Sequence, residues 1–269
     1  MKPLSVLIHT LAIGFAATVL SSCAPTLTTA YQLEPVSGDL ATIDGRAVTK
    51  AEQNGVGVVA SFEREDMEFI TLDIEVKNRT DHSIDVNPAD FHFTALDGAH
   101  NTLTDPNNPS LELTRPAADP TYEAGRMNMK RKQEEKRLKT AKVLNTVLMV
   151  ALVASDISSS SNSHSYREYT TNRVTHGLGY QGLAVKRAID YSNFANRMQR
   201  YDYEEYRWRE LALKANTLAP GESVRGFVYF PKASAARYLA INYTVPELAT
   251  VPLLFKQDLV QEKKNRRRR

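Results

Sequence analysis

Cysteine is nearly absent from this chain: among 269 residues only Cys23 carries a thiol. One cysteine excludes an internal disulfide, a zinc–thiolate site and a Cys-based redox pair. Tryptophan also occurs once, at Trp208. None of the histidines beyond residue 22 (His82, His92, His100, His164 and His176) has another at i+4. HExxH, GxSxG and phosphate-loop patterns are missing as well. The chemistry of hydrolases, metalloproteases and nucleotide enzymes therefore has no foothold, and neither an enzyme nor a cofactor is expected. Glycine and proline are modest, at 12 each, so the chain is neither collagenous nor low in complexity.

Charge of one sign is also missing. Lys and Arg number 34 against 31 Asp and Glu. Six of the basic residues sit in the last seven positions, Lys263-Lys264-Asn265-Arg266-Arg267-Arg268-Arg269. The basic character belongs to a tail, 259–269, expected to be disordered. Outside the cytoplasm its available partners are anionic envelope polymers or lipid head groups, and nucleic acid is not expected.

Long apolar runs are confined to two places. The first, Leu4–Leu20 behind Lys2, has the form of an export signal. It ends in Leu20-Ser21-Ser22-Cys23, an aliphatic residue, two small residues and a cysteine. This resembles the lipobox of bacterial lipoproteins. The resemblance implies a signal peptide over 1–22, cleavage between Ser22 and Cys23, and a lipid on the Cys23 thiol. The tether would be a diacylglyceryl group, each buried methylene adding roughly 0.8 kcal/mol of membrane affinity. Residues 23–37 would form the lipidated N-terminus and a linker. Ala24, where enteric inner-membrane lipoproteins carry Asp, implies the outer membrane. An ordinary secretory signal with a leftover thiol is the alternative.

From Gly55 the pattern is β, with Val56, Val58 and Val59 opening a strand. Ile70, Leu72, Ile74 and Val76 alternate with Thr71, Asp73, Glu75 and Lys77, which predicts an antiparallel strand with one wet face. Short strands separated by turn signals follow to residue 116 and return over 217–258. The segments Phe69–Asn78, Val86-Asn87-Pro88 with Phe91, and Leu218–Val224 with Gly226 and Phe230 resemble the immunoglobulin-like domains of bacterial envelope lipoproteins. That resemblance implies an α+β chain: an immunoglobulin-like antiparallel β-sandwich in two blocks, 38–116 and 217–258, with no catalytic residues to carry over.

Between the blocks, 117–216 reads as a helical hairpin inserted between the strands. A charged run of good helix formers leads into the second apolar run, Val143–Ala154. Twelve residues of helix rise about 18 Å, well short of the ~30 Å hydrocarbon core. A buried or self-associating helix is therefore expected, with a membrane-dipping hairpin as the alternative. Ser155–Ser163 reads as a flexible connector, and a second helix is expected from near Gln181 to Ala215. Its stripe Ala184, Ala188, Tyr191, Phe194, Met198 and Tyr201, then Trp208, Leu211 and Ala215, is expected to pack on the first helix. Leu148, Val150 and Leu152, together with an exposed Tyr203, Tyr206 and Arg207, are the candidate interaction residues.

Two functions fit this reading. One is a non-enzymatic, membrane-anchored envelope scaffold whose helices bind an envelope protein or a second copy. The other is a periplasmic module that binds a small ligand or metal, with His82, His92, His100 and Asp90 as the conceivable donors.

Overall fold

The computed structural model describes residues 27–66 and 68–263, with α+β architecture. The signal segment, the lipobox and the final six residues of the basic tail lie outside the described residues.

The strands are β1 (Leu27–Pro35), β2 (Asp39–Ile43), β3 (Arg46–Gln53), β4 (Val56–Glu65), β5 (Phe69–Asn78), β6 (Ile84–Val86), β7 (Phe91–Leu96), β8 (Thr104–Asp105), β9 (Asn108–Glu112) and β10 (Thr114–Pro116). Two long helices follow, α1 (Pro120–Ser161) and α2 (Tyr166–Tyr206). The chain then returns through β11 (Asn216–Leu218), β12 (Ser223–Pro231), β13 (Tyr238–Val245) and β14 (Ala249–Lys263). One five-stranded sheet has the order β1-β14-β13-β7-β10 and the other β12-β5-β4-β3-β2. The two helices thus lie between strands, as the sequence predicts.

The chain divides into two compact units. The first comprises residues 1–73, 92–115 and 230–269, and the second 74–91 and 116–229. In the first unit the alternating positions make the core: Val56, Val58, Ile70, Leu72, Phe93, Leu239, Ile241, Val251, Leu253 and Phe255 are buried. Phe93 meets Phe230 edge to face, their centroids 5.8 Å apart. Leu27–Pro35, expected as linker, is a strand. It pairs antiparallel with β14 through nine register positions, from Leu27 against Lys263 to Pro35 against Phe255. The same pairing draws Leu259–Lys263, expected as disordered tail, into β14. Neither segment alternates strongly; backbone pairing with a neighbour supplies what the side-chain pattern does not.

In the second unit Ile74, Val76, Ile84, Val86, Phe91, Leu213, Leu218 and Val228 are buried. Asn78 ties its turns together. Its side-chain amide donates to the carbonyls of His82 (2.7 Å) and Leu218 (3.0 Å), and its Oδ1 accepts from the Thr80 backbone N–H at 2.9 Å. Asp119 caps α1, accepting from the Thr121 N–H at 2.8 Å ahead of Pro120 at the first helical position. The helices extend beyond their expected limits. Ser155–Ser161 is helical, the turn is only Asn162–Ser165, and α2 begins at Tyr166. Serine is a poor helix former in isolation, yet Ser159 bonds His176 on the facing helix at 2.8 Å. Tertiary contact overrides propensity there. After Tyr206 the chain makes a π-helical turn, Arg207–Leu211, instead of continuing α2 to Ala215.

That turn delivers Ala212 and Leu213 to β12, where the Leu213 N–H donates to the Phe227 carbonyl at 2.9 Å. Gly226 is the residue that allows the approach. A Cβ placed there would lie 2.6 Å from the Leu213 backbone N and Cα, with no flexible atom to yield. Gly226→Ala should therefore destabilise the chain by about 2 kcal/mol or more, read as a lowered thermal midpoint. Gly45→Ala, with nothing within 4 Å of its Cβ position, should lose only the left-handed backbone preference, about 1 kcal/mol.

Candidate functional site

At 1.5 Å per residue, α1 and α2 are each about 60 Å long and pack antiparallel. Their seam is polar for most of its length. Near the strand end, Arg131 binds Glu205 at 2.9 Å and Asp202 at 3.3 Å. One layer further, the buried Glu134 receives Arg137 at 2.6 Å and Arg197 at 2.9 Å. Next, the buried Asn145 donates to Asp190 at 3.0 Å, and Lys186 reaches the same carboxylate at 2.7 Å. Towards the turn, Arg173 pairs with Asp156 at 3.1 Å. Glu134, Asn145, Asp156 and Ser159 face α2 at spacings of 11, 11 and 3 residues, an eleven-residue repeat of about 3.67 residues per turn that keeps them on one face of a nearly straight helix.

Apolar packing enters that seam at only a few points. Leu152 is one: it lies against Gly179, where an added Cβ would sit 2.9 Å from Leu152 Cδ2. The glycine makes room for the leucine. The expected stripe on α2 is correspondingly displaced. Ala184, Ala188 and Tyr191 are exposed, while Phe194, Met198 and Tyr201 are half-buried.

With polar groups between the helices, the aliphatic side chains point outward. On α1, Val143, Val147, Val150 and Ile157 are 58–66% exposed. They follow one another, with Ala154, at steps of four and three, on the face opposite Asn145 and Leu152. Leu144, Leu148 and Val153 widen this face. On α2, at the same height, Val174, Leu178, Val185 and Ile189 are 53–65% exposed. The result is an apolar belt around the helix pair. It is closed on one side by the Asn145–Asp190–Lys186 layer and on the other by Asp156 and Arg173.

The candidate interaction residues are thus sorted. Leu148 and Val150 lie in the belt, and Tyr203 and Tyr206 are half exposed near the other end of α2. Leu152 belongs to the seam. Arg207 is a correction: it is 1% exposed, paired with Glu204 at 3.0 Å and placed 5.2 Å from the centroid of the Tyr229 ring. Arg207 keeps the α-helical direction, φ −59° and ψ −45° with its N–H donating to the Tyr203 carbonyl. It is buried because this end of the helix meets Tyr229 of β12 as well as α1, a second contact that counting one stripe does not anticipate. Trp208 stacks on the same Tyr229, centroids 4.0 Å apart.

Two other features of the described residues were candidates. A cleft of about 620 Å³ in the second unit is walled by Pro88, Trp208 and Leu213 and rimmed by Asp119, Arg209 and Lys214. Asp119 is occupied as the α1 cap, and Arg209 is bound to Glu205 at 2.9 Å, so its charges do not converge on the opening. Of the conceivable metal donors, His82 sits exposed beside Asp81 at 2.9 Å. Burial raises the Asp90 carboxyl above its usual range, against a smaller lowering from the Asn87 backbone. No group of three or more His, Cys, Asp or Glu suited to a metal occurs among the described residues.

Comparison with family models, with curated proteins and with solved structures finds no match.

The seam makes a prediction about pH. The Asp190 carboxyl is held below the usual carboxylate range, first by its hydrogen bond from Lys186 and then by that from Asn145. A lowered folded value means that its stabilisation is present above the unfolded value near 3.9 and is lost as pH falls through the folded one. Helical signal should therefore melt at lower temperature once pH drops below about 4. In Asp190→Asn the acid-induced decrement should shrink. An unchanged decrement in that variant would assign the effect to other carboxylates.

Proposed function

We propose that the chain is a lipid-anchored protein of the bacterial envelope, without enzymatic activity, that uses its helix pair to dock onto another protein. On this reading the strands form an immunoglobulin-like scaffold and the helix pair is a hairpin inserted into it. The outward apolar belt is the observation that carries the docking role. Soluble monomers rarely leave contiguous apolar patches of more than a few hundred Å² open to water. The cleft supports the ligand-binding alternative less well, because two of its rim charges, Asp119 and Arg209, are already engaged in capping and ion pairing.

Lipid is the competing cover for the belt. Among the described residues, α1 alone has an 18-residue stretch long and apolar enough to cross a membrane, with 6% of it buried. Its charge-free part, 143–155, rises only about 20 Å, against ~30 Å of hydrocarbon. α2 brings Lys186, Arg187 and Asp190 to the edge of the same level. A spanning pair would carry those charges and the polar turn into the membrane, which costs several kcal/mol. Protein is the better cover.

Two experiments test the two halves of the proposal. Cys23→Ser should abolish incorporation of a palmitate analogue and release the protein from the membrane fraction. Persistent labelling of that variant would remove the anchor from the account. Formaldehyde applied to intact envelopes should give adducts of the wild-type chain, and Val150→Glu should lose them while its circular dichroism stays the same. A wild-type chain that forms no adduct would end the docking reading.

A further inference from the structure

We infer that the α1 face of the belt is a self-association surface, occupied by the same face of a second copy of this chain. The inference rests on the docking reading and names its partner.

Three observations select a second copy. The first is spacing. Val143, Val147, Val150, Ala154 and Ile157 advance by four and three residues over two heptads, the repeat that lets one helix seat its knobs between those of another. The face lies opposite the polar seam, so a helix docking there displaces nothing in α2.

The second observation is area. Val143, Leu144, Val147, Leu148, Val150, Val153 and Ile157 are each 39–66% exposed. Together they offer on the order of 600 Å² of apolar side chain, and two such faces reach the roughly 1,200 Å² at which specific interfaces begin. A single small ligand would leave most of that uncovered.

The third is match. The stripe itself contains no charge between Lys142 and Asp156. A partner surface must therefore be charge-free over the same two heptads, with charge permitted beyond both ends. The same stripe on a parallel neighbour meets this condition in register. Asp156 faces α2 and is paired with Arg173, away from this contact, and the charge nearest to the stripe on its own side is Lys139, one turn before Val143. Copies tethered to one membrane by the same residue would present their stripes at the same height.

The test uses the full-length chain in membranes. Cys23 is the only native cysteine, and lipidation would consume its thiol. Val150→Cys should therefore give a disulfide-linked species of twice the chain mass on oxidation with copper phenanthroline. Val185→Cys, on the α2 side of the belt, should give at least about tenfold less, the difference expected when one site is held in an interface and the other meets partners by collision. Both variants are made again with Cys23→Ser to remove any contribution from that thiol. In parallel, the detergent-extracted wild type should sediment as a dimer or larger. Val150→Glu should sediment as a monomer with an unchanged far-ultraviolet spectrum. Equal cross-linking at Val150→Cys and Val185→Cys overturns the assignment to the α1 face. A monomeric wild type that does not cross-link overturns self-association altogether. If such a monomer still forms formaldehyde adducts of another mass, docking survives with a different partner, so the two failures are distinguishable.

Discussion

The polar seam between the two long helices is the constraint from which the rest of the second unit follows. Glu134, Asn145, Asp156 and Ser159 occupy the α1 positions that face α2, and Arg197, Asp190, Arg173 and His176 answer them. Such contacts fix register and orientation, but each contributes only about 0.5–1.5 kcal/mol net. They take many of the inward positions, so that Met127, Leu152 and Leu183 pack inward while most aliphatic residues over the middle of the pair point outward. An ordinary amphipathic pair buries its apolar stripe and wets its polar one; over the middle of this pair the assignment is reversed. A two-helix unit so built gains little from hydrophobic burial within itself, and its stabilisation must come from its attachment to the strands and from whatever covers the belt.

The attachment to the strands is where conventional packing returns. Met127 and Ala124 of α1 are buried near its start, and Trp208 stacks on Tyr229. Arg207 is fully buried beside the same ring, with Glu204 as its ion-pair partner. A buried guanidinium is tolerable only when paired, since its desolvation costs several kcal/mol otherwise. By widening one turn, the π-helical segment releases the chain toward β12, where Gly226 accepts the backbone of Leu213 at a distance no side chain would permit.

Those features explain what the sequence discloses and what it conceals. The strands carrying strict alternation, β5 and β13, are legible because each buries one face in a core, and burial writes a period of two. β1 and the end of β14 are not, because they are held by each other's backbone groups, which leave no side-chain signature. The lengths of the helices are half legible. The charged run and Val143–Ala154 announce α1, but Ser155–Ser161 stays helical through contacts with α2 that composition does not show. The seam is hidden for a different reason. Apolar stripes are read as inward by default, and here the inward positions are Glu134, Asn145 and Asp190. The signal that could have found them is the eleven-residue spacing of polar residues with long-range complements. Arg207 escaped because it is covered by Tyr229, a residue of a strand that follows the helix in sequence, and a projection of one helix shows only its own stripe.

The consequence for assembly is quantitative. A two-heptad valine-rich contact is weak for proteins free in solution, because association costs translational and rotational freedom that a face of this size only modestly exceeds. Tethering changes the balance. Chains confined to one surface with a common orientation meet at the high effective concentration of linked modules, so a contact of modest strength in solution is occupied more fully on a membrane. The proposed anchor and the proposed contact are therefore physically coupled: lipidation would give the belt partners at the right height, and the belt would give lateral order to chains that lipid alone leaves free to diffuse. A stronger, inward-packed aliphatic seam would make the helix pair self-sufficient and remove the reason to associate. On this proposal, the polar residues Glu134, Asn145 and Asp190 in the seam are what would keep the pair dependent on a neighbour.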